Sequence, residues 1–274
     1  MTVAALVMAG NEELMLPGCL SCLSWADERI VLVDHRSTDG TEMVARAAGA
    51  SVYREQWHGF AGQRNRLAQL ARSEWLLYVD ADERIPAALA ASIRRAIRSG
   101  GEFGGYEIPT LNVLLGRPLS HGGWWPDSHV RLIRRSALDH WSGALHEVPI
   151  VAGRVGLLDE PIVHMGHRNL SAMLTKTAVW GPLDAQRKQG SGPVGARELS
   201  VAVLREVGRR LVRRGGWCDG TEGWIEVLFQ SFSAFLTVAF LWESQRREPL
   251  EQTYRRLDEH LQGGGTVKEF FDRS

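Results

Sequence analysis

The 274-residue sequence predicts an α/β fold with a mostly parallel, Rossmann-like sheet and a helical appendage at its C-terminal end. Short apolar runs alternate with segments of helical periodicity over residues 3–99, which is typical of a parallel sheet with helices on both faces. Polar and acidic residues follow most of these runs, at the edge of such a sheet where ligands bind. The end of the chain is helical in pattern and lacks this alternation.

The central element is the apolar run at residues 75–79, which we predict to be a strand buried on both faces. It ends in Asp80-Ala81-Asp82, and residues 86–99 then have a helical pattern that opens with a proline. Two aspartates one residue apart at the carboxyl end of a strand can share a hard divalent cation, because such cations prefer oxygen ligands. The triplet also occurs in solvated turns, so the metal site is a hypothesis that depends on its context.

Before this strand, the pattern predicts three strands that alternate with three helices. The strands are predicted at residues 3–8, 30–33 and 51–53, and the helices at residues 14–25, 43–48 and 63–72. Gly49 is expected to stop the second helix, because glycine readily adopts the left-handed conformation that ends helices. Several polar side chains follow the strands at one edge of the sheet: Asn11, Glu12, Asp34, Asp39, Asp80 and Asp82. Helix capping accounts for some of them, but so many on one edge favours a binding crevice.

After residue 99 the pattern changes to short predicted strands at residues 106–109, 130–134, 148–151 and 162–167. The segment at residues 116–127 is predicted to be an aromatic loop, because it is rich in glycine and tryptophan. Residues 171–189 are helical in pattern, and the glycine- and proline-containing stretch at 190–193 is typical of a linker. We therefore predict a catalytic domain at residues 1–190 and a helical region at residues 191–274.

Composition excludes some classes of function and favours one compartment. The formal net charge is zero, which gives no electrostatic argument for binding nucleic acid. The sparse cysteines favour free thiols in a reducing compartment; Cys19 and Cys22, one helical turn apart, are expected to be buried. The N-terminus lacks the basic region of a secretory signal. The expected location is the cytoplasm.

The C-terminal region contains two segments that could contact a membrane. Residues 199–214 predict a basic amphipathic helix, which fits either a membrane surface or packing on the catalytic domain. Residues 227–242 carry no formal charge, but this run is shorter than the roughly 20 residues that a spanning helix needs. We therefore expect a helix that lies in the interface or packs on protein, and a peripheral location at the inner face of the cytoplasmic membrane.

In chain order, these motifs resemble glycosyltransferase family two, with the GT-A (nucleotide-diphospho-sugar transferase) fold. The closer resemblance is to bacterial lipopolysaccharide-core glucosyltransferases of the WaaE/KdtX type. It extends to about Glu243. The motifs that carry it are Asn11-Glu12-Glu13, Val33-Asp34, Ser37-Thr38-Asp39-Gly40-Thr41, Trp57-His58-Gly59-Phe60, Gln63-Arg64-Asn65, Asp80-Ala81-Asp82-Glu83, Trp124-Trp125-Pro126-Asp127 with Arg131, Leu145-His146-Glu147, His164, and Trp217-Cys218-Asp219-Gly220-Thr221-Glu222-Gly223.

The resemblance implies a donor site with a divalent cation. Mg²⁺ or Mn²⁺ would be held by Asp82, with Asp80 near the ribose or a metal-bound water, and with His164 as a further ligand. The alternative for His164 is a hydrogen-bonded strand histidine without a ligand role. The residues implied in nucleotide-sugar binding are Asn11, Glu12, Glu13, Asp34, Arg64 and Asp80. Asp34 would accept the proton of a pyrimidine ring nitrogen in a hydrogen bond, which suits uridine. The alternative for Arg64 is a solvated helix residue without a binding role.

The resemblance also implies inverting chemistry with one carboxylate as general base. We expect Glu147 in this role and Asp127 as the second candidate; a structural alternative pairs Glu147 with Arg131 or Arg134. The implied acceptor-binding residues are Trp124, Trp125 and Arg131.

The predicted function is metal-dependent transfer of a hexose, with glucose and UDP as the expected sugar and nucleotide. The acceptor would be a glycan or a glycolipid such as the lipopolysaccharide core. The alternatives are a nucleotidyltransferase of the same fold, against which the acidic loop at residues 10–13 argues, and a non-catalytic sugar-binding scaffold.

Overall fold

The computed structural model describes residues 1–99, 102–143, 147–167, 169–190, 192–246 and 248–272. Leu145 and His146, from one of the motifs above, lie outside these ranges. The chain divides into two compact units. The first unit comprises Met1–Ala172 and Arg210–Glu226, and the second comprises Met173–Arg209 and Val227–Ser274. The domain boundary predicted between residues 190 and 191 stays a prediction.

The strands all lie in the first unit. They are β1 (Val3–Ala9), β2 (Glu28–Asp34), β3 (Ser51–Glu55), β4 (Trp75–Asp80), β5 (Glu83–Arg84), β6 (Phe103–Leu114), β7 (Arg117–Pro118), β8 (Ser128–Arg134), β9 (Leu138–Ser142), β10 (Val148–Val151), β11 (Arg154–Leu157) and β12 (Ile162–His167).

The helices α1 to α4 alternate with the first strands, and the later helices follow the last strand. They are α1 (Leu16–Cys22), α2 (Thr41–Ala47), α3 (Gly59–Leu70), α4 (Ala87–Arg98), α5 (Leu170–Arg187), α6 (Ala196–Val207), α7 (Gly220–Ser244), α8 (Leu250–Gln262) and α9 (Val267–Asp272). Short 3₁₀ turns occupy Arg135–Ala137 and Gly216–Asp219, and a π-helical segment occupies Gly208–Arg213.

The main sheet has the strand order β3-β2-β1-β4-β8-β6-β12-β5, and β7 and β11 also pair with β6. The strands β3, β2, β1 and β4 are parallel, as the alternating pattern predicted. The strand β8 then runs antiparallel to both β4 and β6. Since β2, β1 and β4 are parallel neighbours, their carboxyl ends meet at one edge, and the acidic loops lie there.

The strand β4 is buried on both faces, as predicted from its continuous apolar run. Leu77 and Val79 belong to one hydrophobic cluster, together with residues of α1 and α4. Leu76 and Tyr78 belong to a second cluster, together with residues of α3. Because neighbouring side chains of a strand point to opposite faces, the two clusters show that helices cover both sides of the sheet.

Some elements differ from the sequence prediction. The strand β6 has 12 residues rather than the four predicted at 106–109, because it pairs with β7, β8, β11 and β12 along its length. The helix α3 begins at Gly59, four residues before the start predicted at residue 63. Gly49 follows α2 with a φ of 75°, which confirms the predicted helix stop. Cys19 is buried as expected, whereas Cys22 is only partly buried.

The expectation that the apolar helix of the tail is too short to span a membrane was wrong. The helix α7 has 25 residues, because it begins at Gly220 rather than at the start of the uncharged run. Glu222 lies in its first turn, where the helix dipole favours a negative charge. With the preceding 3₁₀ turn, the helical segment Gly216–Ser244 contains an 18-residue stretch with a mean hydropathy of 1.6, so by length and composition alone it could cross a membrane.

Candidate active site

The loop after β1 is joined to the loop after β2 by hydrogen bonds from both chains. Asn11 has a left-handed φ of 56°, and its backbone N–H donates to the Ser37 hydroxyl oxygen at 3.1 Å. The Thr38 N–H donates to Asn11 Oδ1 at 2.9 Å. Asparagine tolerates this backbone conformation better than most residues, which explains its place in the turn. Asn11 therefore fixes the start of the acidic edge.

Glu12 and Glu13 continue the same connection. The Glu12 N–H donates to Thr41 Oγ1 at 2.8 Å, and the Glu13 N–H donates to Asp39 Oδ2 at 3.0 Å. In return, Glu13 Oε2 accepts the Gly40 N–H at 3.0 Å. The backbone of this loop and the Glu13 carboxylate thus hold two loops of the crevice together. A direct role of these residues in nucleotide binding stays a prediction.

Asp34 ends β2 and is covered by the residue two positions later. The Arg36 guanidinium donates to both of its carboxylate oxygens, at distances down to 2.6 Å. This hydrogen bond is the main reason why the pKa of Asp34 lies below its usual value. The Arg36 side chain is 60% exposed, and its guanidinium lies 5.6 Å from the centre of the Trp57 ring. Asp34 is therefore ionised and paired, with a partner that solvent can reach.

Asp80, at the carboxyl end of β4, lies between two guanidinium groups. Arg64 Nη2 donates to Asp80 Oδ1 at 3.1 Å, and Arg131 donates to Asp80 Oδ2 at 3.3 Å. Burial disfavours the charged carboxylate, but the two guanidiniums outweigh burial and hold the pKa of Asp80 well below its usual value. Both oxygens of Asp80 are thus occupied within the protein.

Glu83 is a site residue that the sequence did not single out, although it is the third carboxylate after β4. It is 1% exposed, and its Oε2 accepts the backbone N–H of Asp80 at 2.8 Å. Arg131 Nη2 donates to Glu83 Oε1 at 2.9 Å. Burial raises the pKa of Glu83, against the lowering effect of Arg131. Arg131, predicted to bind the acceptor, instead lies in this internal ion pair, and its acceptor role stays a prediction.

The polar residues of α3 connect three parts of the first unit. Gln63 donates to the backbone oxygen of Gln56 at 2.9 Å. The Asn65 side chain exchanges two hydrogen bonds with the backbone of Trp141 in β9, at 2.7 and 3.0 Å. Arg64 lies between them in sequence and is only 6% exposed, so it is not a solvated helix residue. The helix therefore fixes the β9 strand against the edge of the sheet.

Glu147 reaches the acidic edge through Arg64. Arg64 Nε donates to Glu147 Oε1 at 2.8 Å, while the same guanidinium holds Asp80. The guanidinium also lies 4.8 Å from the centre of the Trp141 ring, which adds a cation–π contact. The partner of Glu147 is thus Arg64, and not Arg131 or Arg134 as the structural alternative expected. Glu147 is 12% exposed, so a small part of its side chain remains accessible to solvent.

Asp82 and His164 are brought together by the pairing of β5 with β12. His164 Nε2 lies 3.5 Å from Asp82 Oδ2. On the other side of the ring, His164 Nδ1 contacts Asn112 Oδ1 at 2.7 Å. Since an amide oxygen only accepts, Nδ1 carries a proton and Nε2 points towards Asp82. Burial lowers the pKa of His164, but Asp82 outweighs it and raises the pKa above its usual value.

Asn112 is a second residue that the sequence did not single out, because its role depends on the pairing of β6 with β12. Metal-binding histidines usually donate their second ring nitrogen to an oxygen, and Asn112 provides this partner. Asp82 Oδ2 and His164 Nε2 are suitable ligands for a divalent cation. Among the residues that the structure describes, no group of three or more His, Cys, Asp or Glu could hold a metal ion.

The aromatic loop lies between β7 and β8. Its backbone oxygen at Asp127 accepts the Thr110 N–H at 2.8 Å, and the Asp127 carboxylate lies 3.1 Å from the His129 ring. His129 is the main cause of the lowered pKa of Asp127. Trp125 is 39% exposed, so an aromatic face is available at the surface. Trp124 contacts the guanidinium of Arg210, whose centre lies 5.4 Å from its ring.

Residues 5–102 match the family model described as glycosyl transferase family 2. The chain is 28% identical over 255 residues to the lipopolysaccharide core biosynthesis glycosyltransferase LpsC of Rhizobium meliloti, covering 88% of this chain and 92% of that protein. It is 23% identical to an uncharacterized glycosyltransferase of Rickettsia felis, covering 88% and 90% of the two chains.

The solved structures to which the chain is similar include two complexes with nucleotide sugars. One is S. aureus TarS 1-349 in complex with UDP-GlcNAc, with a TM-score of 0.45, 15% identity, and coverage of 97% of this chain and 93% of that one. Another is glucosyl-3-phosphoglycerate synthase from Mycobacterium tuberculosis in complex with Mn²⁺ and UDP-glucose, with a TM-score of 0.45, 16% identity, and coverage of 65% and 78%.

The family match sets aside the nucleotidyltransferase and the non-catalytic scaffold as alternatives. The order of the parallel strands and the acidic edge at their carboxyl ends agree with it. Residues 5–102 match a glycosyl transferase family 2 domain, and the chain is a glycosyltransferase with a mixed, mostly parallel α/β sheet.

Proposed function

We propose that this enzyme is an inverting, metal-dependent hexosyltransferase that moves glucose from UDP-glucose to a glycan or lipid-linked acceptor such as the lipopolysaccharide core. The observation that carries the proposal is the bridge made by Arg64 between Asp80 and Glu147. It connects the Asp80-Ala81-Asp82 edge, where a donor would bind, to Glu147, the carboxylate that we propose to activate the acceptor. The lipopolysaccharide acceptor is supported by the name of the Rhizobium meliloti relative.

The donor set of Asp82 and His164 fits Mg²⁺ or Mn²⁺. One carboxylate and one imidazole leave room for phosphate oxygens, and magnesium in phosphate-transfer enzymes is commonly bound by few protein ligands together with the substrate. A bound divalent cation would stabilise the negative charge of the leaving diphosphate. Asn112 would keep the His164 ring in the orientation that presents Nε2. Asp80, whose oxygens are held by Arg64 and Arg131, would act through the ribose or a metal-bound water.

The nucleotide would bind over the carboxyl ends of β1, β2 and β4. Asp34 would accept the ring N–H of uracil, after its exposed partner Arg36 moves aside. The loop that contains Asn11, Glu12 and Glu13 would form the wall of this crevice, since its backbone is fixed to the next loop. Arg64 would contribute positive charge near the phosphates while it remains in contact with Asp80.

Glu147 would accept the proton of the acceptor hydroxyl as that oxygen attacks the anomeric carbon and the diphosphate leaves. The Arg64 guanidinium fixes the orientation of this carboxylate through a charge-assisted hydrogen bond. Asp127 is the second candidate for this role. Trp124 and Trp125 would stack on a sugar ring of the acceptor, because aromatic faces suit the apolar faces of sugars.

The proposed location is the cytoplasmic face of the membrane. The helix α6 exposes Val201 and Leu204, at 50% and 70%, and Arg205 is also exposed. Exposed apolar side chains beside a basic residue suit an anionic membrane surface.

The variant Glu147→Gln keeps the size and the hydrogen-bonding oxygen of the side chain but cannot accept a proton. We expect it to lower kcat at least about a hundredfold, with donor affinity unchanged, because general-base catalysis typically contributes two to four orders of magnitude. The measurement is the transfer of radiolabelled glucose to core-truncated lipopolysaccharide. Asp127→Asn is the comparison: if Glu147→Gln remains active and Asp127→Asn does not, the base is Asp127.

The variant Asp82→Ala removes the carboxylate that we assign to the cation. We expect it to abolish the increase in UDP-glucose affinity that Mn²⁺ produces, because His164 would be the remaining protein ligand. Calorimetric titration with and without Mn²⁺ measures this effect. Asp139→Ala, at a side chain that is 74% exposed on β9, is the control. Unchanged Mn²⁺-dependent affinity in Asp82→Ala would refute the metal assignment.

The variant Leu204→Asp tests the membrane location, because it places a charge on the exposed apolar face of α6. In flotation with vesicles, we expect the wild type to bind phosphatidylglycerol better than phosphatidylcholine and to lose binding as salt increases. Leu204→Asp should bind weakly, whereas Met43→Asp, at a residue 66% exposed on α2, should bind like the wild type. Equal flotation of all three proteins contradicts the proposed surface.

A further inference from the structure

The aromatic loop is held by a segment almost a hundred residues later in the chain, which belongs to the same unit. We call residues 210–223 the anchoring segment; it contains the motif from Trp217 to Gly223, to which neither the donor site nor the base gives a role. At its centre is Asp219, which is only 5% exposed. A buried carboxylate is costly unless its oxygens are hydrogen-bonded, so its partners indicate what it does.

All the hydrogen bonds that Asp219 accepts from the aromatic loop involve two neighbouring residues. Asp219 Oδ2 accepts the backbone N–H of Ser120 at 3.1 Å and that of His121 at 2.8 Å. Asp219 Oδ1 contacts Nδ1 of the His121 ring at 2.8 Å. One side chain therefore fixes two consecutive peptide groups and one imidazole ring. This arrangement determines the backbone conformation at the start of the loop.

The anchoring segment makes further contacts with the residues that follow. The Gly122 N–H donates to the backbone oxygen of Arg214 at 2.9 Å, and Arg210 Nη1 donates to the Gly122 oxygen at 3.1 Å. The same Arg210 guanidinium lies over the Trp124 ring. The contacts thus extend from Ser120 to Trp124, the first of the two tryptophans proposed to bind the acceptor.

Two glycines allow close packing here, one in the aromatic loop and one within the anchoring segment. Gly123 has a φ of 91°, which favours glycine, and it lies against the Arg214 side chain. Gly223 packs so closely on the backbone oxygen of Gly216 that a Cβ atom would overlap it, so this position requires glycine for steric reasons. The aromatic loop thus lies close to a compact anchoring segment.

We propose that Asp219 is a positioning residue for acceptor binding: it holds the aromatic loop in one conformation, so that Trp124 and Trp125 are ordered before the acceptor arrives. The inference rests on the acceptor role proposed above for these tryptophans. Ordering a loop in advance improves binding because the entropic cost of ordering is then not part of the binding step. Donor binding would be unaffected, since its proposed residues lie in the loops after β1, β2 and β4, in α3 and in β12, whereas Asp219 bonds Ser120 and His121.

Two substitutions of Asp219 separate its geometry from its charge. In Asp219→Asn, the amide oxygen can still accept both backbone N–H groups, and the amide NH₂ can donate to a neutral His121 ring. Asp219→Ala removes all three interactions and leaves two backbone N–H groups without their partner. A positioning role therefore predicts that the asparagine variant behaves like the wild type and that the alanine variant does not.

The experiment measures hydrogen exchange of a peptide covering residues 118–126, release of UDP from UDP-glucose in Mn²⁺ without an acceptor, and transfer to core-truncated lipopolysaccharide. In Asp219→Ala we expect exchange at least about tenfold faster, UDP release within about twofold of the wild type, and a KM for the acceptor raised at least about tenfold with a smaller change in kcat. Asp219→Asn should show wild-type values in all three measurements.

Glu222→Gln is the matched control and should behave like the wild type. Its ion pair with Arg117 is long, at 3.7 Å, and both side chains are partly exposed, so the pair contributes little.

Unchanged exchange in Asp219→Ala, or faster exchange with an unchanged KM, overturns the proposal. Loss of transfer in Asp219→Asn with normal exchange also overturns it, because Asp219 and His121 would then act through charge or proton transfer. If the wild type releases no UDP, the proposed donor is wrong. If it releases UDP but does not modify the lipopolysaccharide, the proposed acceptor is wrong. The Asp219 inference is then overturned as well, because it predicts a change in the KM for that acceptor.

Discussion

The site depends on one buried charge, the guanidinium of Arg64. It is 6% exposed and is paired with both Asp80 and Glu147. A buried charge is tolerated only when it is paired and hydrogen-bonded, so the end of β4, the helix α3 and the residue before β10 must meet at this point. Asp80 is also paired with Arg131, and Arg131 forms a second ion pair with Glu83. The ionic network therefore fixes the relative positions of the proposed donor edge and the proposed base.

Much of the fold could be predicted from local sequence pattern. The apolar run before Asp80 predicted a buried strand, and the alternation before it predicted the parallel strands β1 to β4, because strand and helix periodicities are properties of neighbouring residues. The acidic edge followed from the same reasoning, since carboxyl ends of parallel strands meet. Gly49 was predicted correctly for an equally local reason, its left-handed backbone.

The contacts that build the site could not be predicted in this way, because they join residues distant in sequence. Arg64 and Glu147 are 83 positions apart, and Asn112 and His164 are 52 apart. Pairing of β6 with β12 brings the second pair together, whereas the first depends on the packing of α3 on β9 and on the pairing of β9 with β10. No pattern in the sequence shows these contacts. The length of α7 was missed for a different reason: the prediction began after Glu226, whereas the helix begins at Gly220 and includes this glutamate as a buried residue. The partner of Asp219 was missed because it lies almost a hundred residues away.

The most direct test of this account is a double-mutant cycle on kcat with Arg64→Lys, Glu147→Gln and the double variant. A lysine keeps the positive charge but cannot make the two directed hydrogen bonds of the guanidinium. If Arg64 acts by fixing Glu147, the double variant should be little slower than Glu147→Gln alone, itself slowed at least about a hundredfold, because the residues act as a unit. If the two losses multiply, Arg64 and Glu147 act independently, and the bridge between donor edge and base is not what the enzyme uses.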